Sequence, residues 1–194
     1  MREFEPILDL RSGRIVGYEV LYRGVEDRES FFETCTEEKD LEIFLGHVEE
    51  IRRIEGRNSK LYFVNIFGNT LLNYWDVIER ECKDLKECLV LEISEKRKMD
   101  AGKLSGVLEN SGFKVCLDDF GSGWSSIETA IKLRPQYIKI DVKQLSEVLP
   151  MVLRITKMLQ ARPIIEKVDT VKELVKLNRY KAFLLQGRIL EEVL

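Results

Sequence analysis

Histidine is nearly missing from this chain: His47 is the one imidazole among 194 residues. That excludes zinc sites built on several histidines and leaves few routes to a Ser-His-Asp triad. His47 lies in LEIFLGHVEEI, on the helical face shared by Phe44 and Ile51, and reads as a core or boundary residue. There is no basic excess either. Lys and Arg number 31 against 34 Asp and Glu, a net charge of −3, so a nucleic-acid polymer is not an expected partner. No apolar run approaches the roughly 18 residues of a membrane span. The opening MREFEPILDL carries early acids and no apolar core, so it does not read as a signal peptide, and a cytoplasmic location with no membrane partner is expected. Cys35, Cys82, Cys88 and Cys116 lack C-x-x-C spacing and read as reduced thiols. With only four prolines and no Gly/Ser-rich run, the chain shows no linker. Its chemistry must come from carboxylates, amides, lysine or a metal held by oxygen.

What is present is ample apolar material, 44% of residues, with 34% charged. That suffices for one core, and a single domain over 1–194 is expected. Short β-rich runs alternate with helical periodicity. Candidate strands are 4–10, 15–22, 61–66, 89–93, 114–119, 137–140, 163–167 and 182–186. Leu41, Phe44, Val48 and Ile51 repeat at helical spacing, as do Leu145, Leu149, Val152 and Met158 in a longer helix. Thr34 with Glu37 suggests a capping box. The first two strands are joined by a few residues around Ser12-Gly13, too few for a parallel crossover, so they must pair antiparallel. The rest follow βα alternation. A (β/α)₈ TIM-like barrel with one antiparallel strand and trimmed helices fits this length; an open parallel sheet fits the pattern too.

In parallel α/β proteins the site lies at the C-terminal ends of the strands. Polar residues recur late in the apolar runs: Glu19, Asn65, Glu92, the pair Asp118-Asp119, Lys139, Glu166 and Gln186. A carboxylate among Val, Leu and Ile is costly unless compensated. A ring of them repels itself without a cation. Oxygen ligands with one amide suit Mg²⁺ or Mn²⁺ better than Zn²⁺. The bland alternative is that several of these ends are merely solvated. DDFGSGWSS at 118–126 adds adjacent acids and a glycine-bearing loop that could carry one acid to one metal and its neighbour to a second.

These segments resemble the EAL domain family of cyclic di-GMP phosphodiesterases along almost the whole chain. FEPILDLRSGRIVGYEVLYR, VNIFGNTL, LEISE, DDFGSGWSSI, LRPQYIKID, IEKVDT and LLQG appear in the family's order. The resemblance implies a TIM-like barrel that cleaves cyclic di-GMP to linear pGpG with Mg²⁺ or Mn²⁺, two ions in all. It implies that Glu19, Asn65, Glu92 and Asp118 ligate metal and that Asp119 and Glu166 serve the second ion. Lys139 would orient or activate the attacking water, and Gln186 would complete the shell around it. Arg23 would contact substrate phosphate, a task suited to a guanidinium. Glu95 would hold the glycine-bearing loop.

The chain also departs from the family. Glu5 replaces the Gln of QPI, where a carboxylate could accept from guanine N1–H and N2–H₂. Lys167 and Asp169 replace the glycine and second glutamate of AEGVE. Lys167 could pair with Glu166 and compete with metal, although strand alternation argues that the two side chains diverge. Phe67-Gly68 replaces Ser-Pro, and Gln136 replaces a common Asp. Three readings stay open: a metal-dependent phosphodiesterase, a degenerate cyclic di-GMP receptor or protein-interaction module, and another Mg²⁺ barrel enzyme. No sensor, GGDEF or transmembrane segment accompanies these motifs, so regulation is expected through a homodimer or a regulatory protein acting in trans.

Overall fold

The computed structural model describes residues 2–94, 96–143 and 147–190. Strands β1 (Arg2–Asp9), β2 (Arg14–Tyr22), β3 (Leu61–Ile66), β4 (Leu89–Ile93), β5 (Lys114–Leu117), β6 (Tyr137–Asp141), β7 (Arg162–Glu166) and β8 (Leu184–Leu185) close a barrel in chain order. The first strand runs against both neighbours, as its short hairpin to β2 requires. The others pair parallel. The closed sheet excludes the open-sheet alternative.

Helices α1 (Arg28–Thr34) and α2 (Glu37–Arg52) follow β2; α3 (Gly68–Asn73) and α4 (Trp75–Cys82) follow β3. Then α5 (Ala101–Leu108), α6 (Ile127–Leu133), α7 (Leu149–Met158) and α8 (Val171–Arg179) each precede the next strand. Several span only about two turns, which is how the barrel fits this chain length.

Side chains alternate across each strand, and this places the site. Ile7, Phe63, Val90, Cys116, Tyr137, Ile164 and Leu184 fill the barrel interior as one apolar cluster. Two residues further towards the mouth, on the same face, come Glu5, Asn65, Glu92, Asp118, Lys139, Glu166 and Gln186. On β2 the corresponding pair is Gly17 and Glu19. A Cβ at Gly17 would lie 2.6 Å from the Leu61 carbonyl oxygen, so only glycine lets β2 and β3 close there. The opposite strand faces, with Val64, Leu91, Ile93, Leu117 and Ile140, bury against the helices.

Some local expectations shift. The second helix is capped by Thr36, whose side chain accepts from Lys39 N, not by a Thr34–Glu37 box. The cause is tertiary. Arg97 donates to the carbonyls of Phe32, Glu33 and Cys35, which ends α1 at Thr34 and leaves Thr36 to start α2. On α7, Leu149, Val152 and Thr156 are buried but Met158 is 83% exposed, because about two and a half turns separate it from Leu149 and put it on the opposite face; Leu145 lies outside the described residues. The fifth and seventh strands stop at Leu117 and Glu166, since Asp119 and Lys167 turn into left-handed backbone. The four cysteines are free and buried.

His47 is buried on α2, with its Nδ1 accepting from Arg2 Nε at 3.1 Å. Burial, with Arg2 beside it, lowers its pKa from 6.5 to about 4. As pH falls from 6.5 towards 4, the unfolded chain takes up a proton that the folded chain refuses. Stability from this group is therefore present above about 6.5 and lost below it, by about 3 kcal/mol at the acid end. Urea unfolding of wild type and His47→Gln across pH 4–7 should show the variant's stability falling less on acidification. Parallel curves would remove His47 from the acid response.

Candidate active site at the barrel mouth

The strand ends surround a cavity of about 590 Å³ lined by Glu5, Glu19, Asn65, Asp118, Asp119, Glu166, Lys167 and Gln186, with Tyr22, Phe32 and Phe67 on its walls. Lys139 and Glu92 lie beneath its floor, almost wholly buried. The Lys139 ammonium is the hub. Its Nζ is 2.7 Å from Glu19 Oε2, 2.8 Å from Glu92 Oε1, 2.9 Å from Glu166 Oε1 and 3.9 Å from Asp118 Oδ1. Glu19 also accepts from Asn65 Nδ2 at 2.9 Å and from Gln186 Nε2 at 2.5 Å. The position of Gln186 is fixed by the next residue. A Cβ at Gly187 would meet the Val168 backbone at 2.5 Å, so the two chain segments pack backbone to backbone.

The charges do not balance. Burial alone favours neutral Glu19, but Lys139, Gln186 and Asn65 overcome it and hold that carboxyl below its ordinary range. Burial likewise opposes the charge on Lys139, yet Glu166, Glu19, Glu92 and Asp118 keep its ammonium well above the ordinary value. The remaining acids go the other way. Burial, only partly offset by Lys139 and reinforced by neighbouring carboxylates, raises Glu92 and Asp118 well above their ordinary values. The same causes bring Glu166 to about 7. One ammonium cannot neutralise four carboxylates in a low-dielectric floor, and protons make up part of the deficit.

The donor set fits hard cations. Oxygens of Asp118, Asp119 and Glu166 lie within 4.8 Å of one another and can hold a metal ion. Glu92 Oε2, Asp119 Oδ1 and Gln186 Oε1 are buried with no hydrogen-bond partner among the described residues. Carboxylate and amide oxygens in surplus negative charge suit Mg²⁺ or Mn²⁺.

Other expected residues fall less centrally. Glu5 reaches the cavity opposite Glu19 in the β1–β2 register, and its pKa is raised, first by burial and then by Glu19. Arg23 does not line the cavity; its guanidinium is paired to Glu3. Glu95 lies outside the described residues. Lys167 diverges from Glu166 and binds Asp141. Asp169 pairs with Lys143 and Arg188, which hold its carboxyl well below the ordinary range.

Two supporting acids escaped the sequence reading. Asp40 on α2 is buried and accepts from Phe67 N at 3.0 Å, pinning the segment just past Asn65; burial raises its pKa to about 6. Asp141 ends β6 almost fully buried, with Oδ1 accepting from Lys143 N and Oδ2 from Lys167. The run YIKID signalled Asp141; a lone Asp in a helical pattern offered no signal for Asp40.

A closed barrel with one reversed strand, carrying acids, one amide and one lysine at its mouth, defines a (β/α)₈ domain built for divalent ions. A sequence model of the EAL domain matches residues 2–192, and the chain belongs to that family. It is 26% identical over 219 aligned residues to the probable cyclic di-GMP phosphodiesterase PdeG of Escherichia coli, covering 95% of this chain and 42% of that protein. It is 23% identical to the E. coli blue light- and temperature-regulated antirepressor BluF, over 75% of this chain and 40% of that one. The chain thus spans less than half the length of these curated relatives. Among solved structures, the Bacillus subtilis YkuI protein, with an EAL domain in complex with cyclic di-GMP and calcium, superposes with a TM-score of 0.81. Identity is 25%, over 97% of this chain and 53% of that one. No helix among the described residues is long and apolar enough to cross a membrane.

Proposed function

We propose that this domain hydrolyses cyclic di-GMP to linear pGpG in a reaction dependent on Mg²⁺ or Mn²⁺. The observation that carries the reading is one connected cluster: Glu19, Glu92, Asp118 and Glu166 around Lys139, Asn65 on Glu19, Asp119 beside Asp118 and Glu166, and buried oxygens of Glu92, Asp119 and Gln186 with no hydrogen-bond partner among the described residues. PdeG bears the name of this activity, and YkuI is described with this nucleotide as substrate.

Glu19, Asn65, Glu92 and Asp118 would hold one ion, and Asp119 and Glu166 would join Asp118 around a second. When bound, such ions polarise a phosphoryl oxygen and lower the pKa of water. The product pGpG retains a 5′ phosphate, so water must add to phosphorus as one P–O3′ bond breaks and the 3′ oxygen takes up a proton. Lys139 Nζ, buried and charged, donates hydrogen bonds from the floor and stabilises negative charge developing on the phosphate. Gln186, tied to Glu19, orients polar groups beside it. Glu5 offers an acceptor to guanine N–H groups at the cavity wall. Arg23 would serve a phosphate only after leaving Glu3.

A receptor that binds cyclic di-GMP without cleaving it is the second reading. Lys167 and Glu5 in the cavity lining favour it, as does a relative named for antirepression. Incubation with cyclic di-GMP and Mn²⁺ or Mg²⁺, followed by nucleotide chromatography, separates the two. The enzyme reading expects pGpG to form and chelation with EDTA to stop it. Saturable binding with no pGpG in either metal would establish the receptor.

A further inference from the structure

Lys167 follows the last residue of β7 with φ at +58°, a conformation that suits glycine and disfavours a residue with a side chain. A lysine stands there nonetheless, and it lines the cavity. Its Nζ lies 2.5 Å from Oδ2 of Asp141 and 4.0 Å from Oδ1 of Asp119. That Asp119 oxygen is one of the buried atoms with no hydrogen-bond partner among the described residues. Asp119 belongs to the trio with Asp118 and Glu166 whose oxygens can hold a metal ion. The ion pairs of Lys139 and Lys167 share no acid: Lys139 takes Glu19, Glu92, Asp118 and Glu166, while Lys167 takes Asp119 and Asp141.

We propose that Lys167 is a fixed cation that competes with the second divalent ion for the Asp118–Asp119–Glu166 trio. This chain then takes one ion tightly and a second only weakly. The inference rests on the metal-dependent reading of the site and sharpens it. An ammonium this close to a ligand oxygen repels a divalent ion entering there; the Lys167 side chain is half exposed, so water screens part of that repulsion and the cost is about tenfold in affinity, not exclusion. The ammonium is also held in place. Asp141 is 3% exposed, and its other oxygen accepts from Lys143 N at 2.7 Å, so the acceptor that anchors Lys167 is itself anchored.

The test is calorimetric titration of the metal-free protein with Mn²⁺, without nucleotide, in wild type, Lys167→Met, Lys167→Gly and Lys167→Arg. Electron paramagnetic resonance would report when two Mn²⁺ ions sit close enough to couple. Wild type should show one tight ion and a second at least about tenfold weaker. Lys167→Met and Lys167→Gly should each tighten the second ion by at least about tenfold and leave the first nearly unchanged. Lys167→Arg, which keeps the charge, should behave as wild type does. Equal second-ion affinities in wild type and both uncharged variants would overturn the proposal. Failure of every form to bind Mn²⁺ would overturn it together with the metal site. The expected binding pattern without pGpG formation would uphold it and reject only the hydrolytic reading.

Discussion

Replacing Lys139 with methionine is expected to destabilise the metal-free protein by about 3–5 kcal/mol at neutral pH, the usual cost of removing one partner from a buried ion pair. Its ammonium is within hydrogen-bond reach of Glu19, Glu92 and Glu166, and it is the only cation within 4 Å of any of them among the described residues. The loss should depend on pH in a definite direction. Glu166 titrates near 7, and Glu92 and Asp118 lie well above their ordinary values. Their folded-state pKa values exceed the unfolded ones. The favourable contribution of Glu166 is thus complete below about 4.5 and is lost as pH rises through about 7, and those of Glu92 and Asp118 are likewise lost as pH rises above their ordinary range. Without Lys139 that loss steepens, because no ammonium remains to share the ionised oxygens. Mn²⁺ should recover most of the stability by replacing the missing charge. Turnover should not recover, falling about 100- to 1,000-fold even in saturating Mn²⁺, as when one preorganised donor to a transition state is removed. Urea unfolding with and without Mn²⁺, beside initial rates of pGpG formation, reads both effects. Unchanged metal-free stability would deny Lys139 its role as counter-charge; unchanged turnover would deny its role in the reaction.

The residues of the mouth were legible because one rule generates them. All but Glu19, whose counterpart is Gly17, lie two positions from an apolar residue that fills the barrel interior: Phe63 and Asn65, Val90 and Glu92, Tyr137 and Lys139, Ile164 and Glu166. A polar residue on the buried face of an otherwise apolar strand stands out in any sequence. The reversed first strand was legible from a connection too short for a crossover. What could not be read depends on contacts between distant elements. The start of α2 at Thr36 is decided by Arg97, some sixty residues away, through the carbonyls at the end of α1. Asp40 looks like an ordinary exposed helix residue until α2 packs its carboxylate on the Phe67 amide. Alternation along the strand set Lys167 apart from Glu166, as the structure has it. Its partners Asp141 and Asp119 belong to other segments of the chain, and one strand's own pattern could not name them.

Glu92→Gln should separate stability from function with opposite signs. Glu92 is fully buried, one of its oxygens accepts from Lys139, and the other has no partner among the described residues. Burial and the neighbouring acids raise its pKa well above the ordinary value, so ionising it in the folded protein is unfavourable. Glutamine keeps the shape and a carbonyl acceptor for Lys139 but cannot ionise. The wild type loses stability as pH climbs above about 4.5, where the unfolded chain releases this proton and the folded chain resists doing so. The variant lacks that loss. Near pH 4.5 the two metal-free proteins should have similar stability, and by pH 8 the variant should be the more stable. With Mn²⁺ the order reverses. Wild type gains RT ln(1 + [L]/Kd), about 2.7 kcal/mol at a hundredfold excess over Kd, while the variant has lost an anionic ligand and gains far less. Turnover should fall roughly a thousandfold, because the ion's position and the charge that holds it are lost together. Such a residue lowers the stability of the free protein for the sake of the loaded one, as active-site acids commonly do. Melting curves at pH 4.5 and pH 8, each with and without Mn²⁺, give the four values needed. A variant less stable than wild type at pH 8 without metal, or one that keeps the full Mn²⁺ shift, would remove Glu92 from the ligand set and leave it a structural acid of the barrel floor.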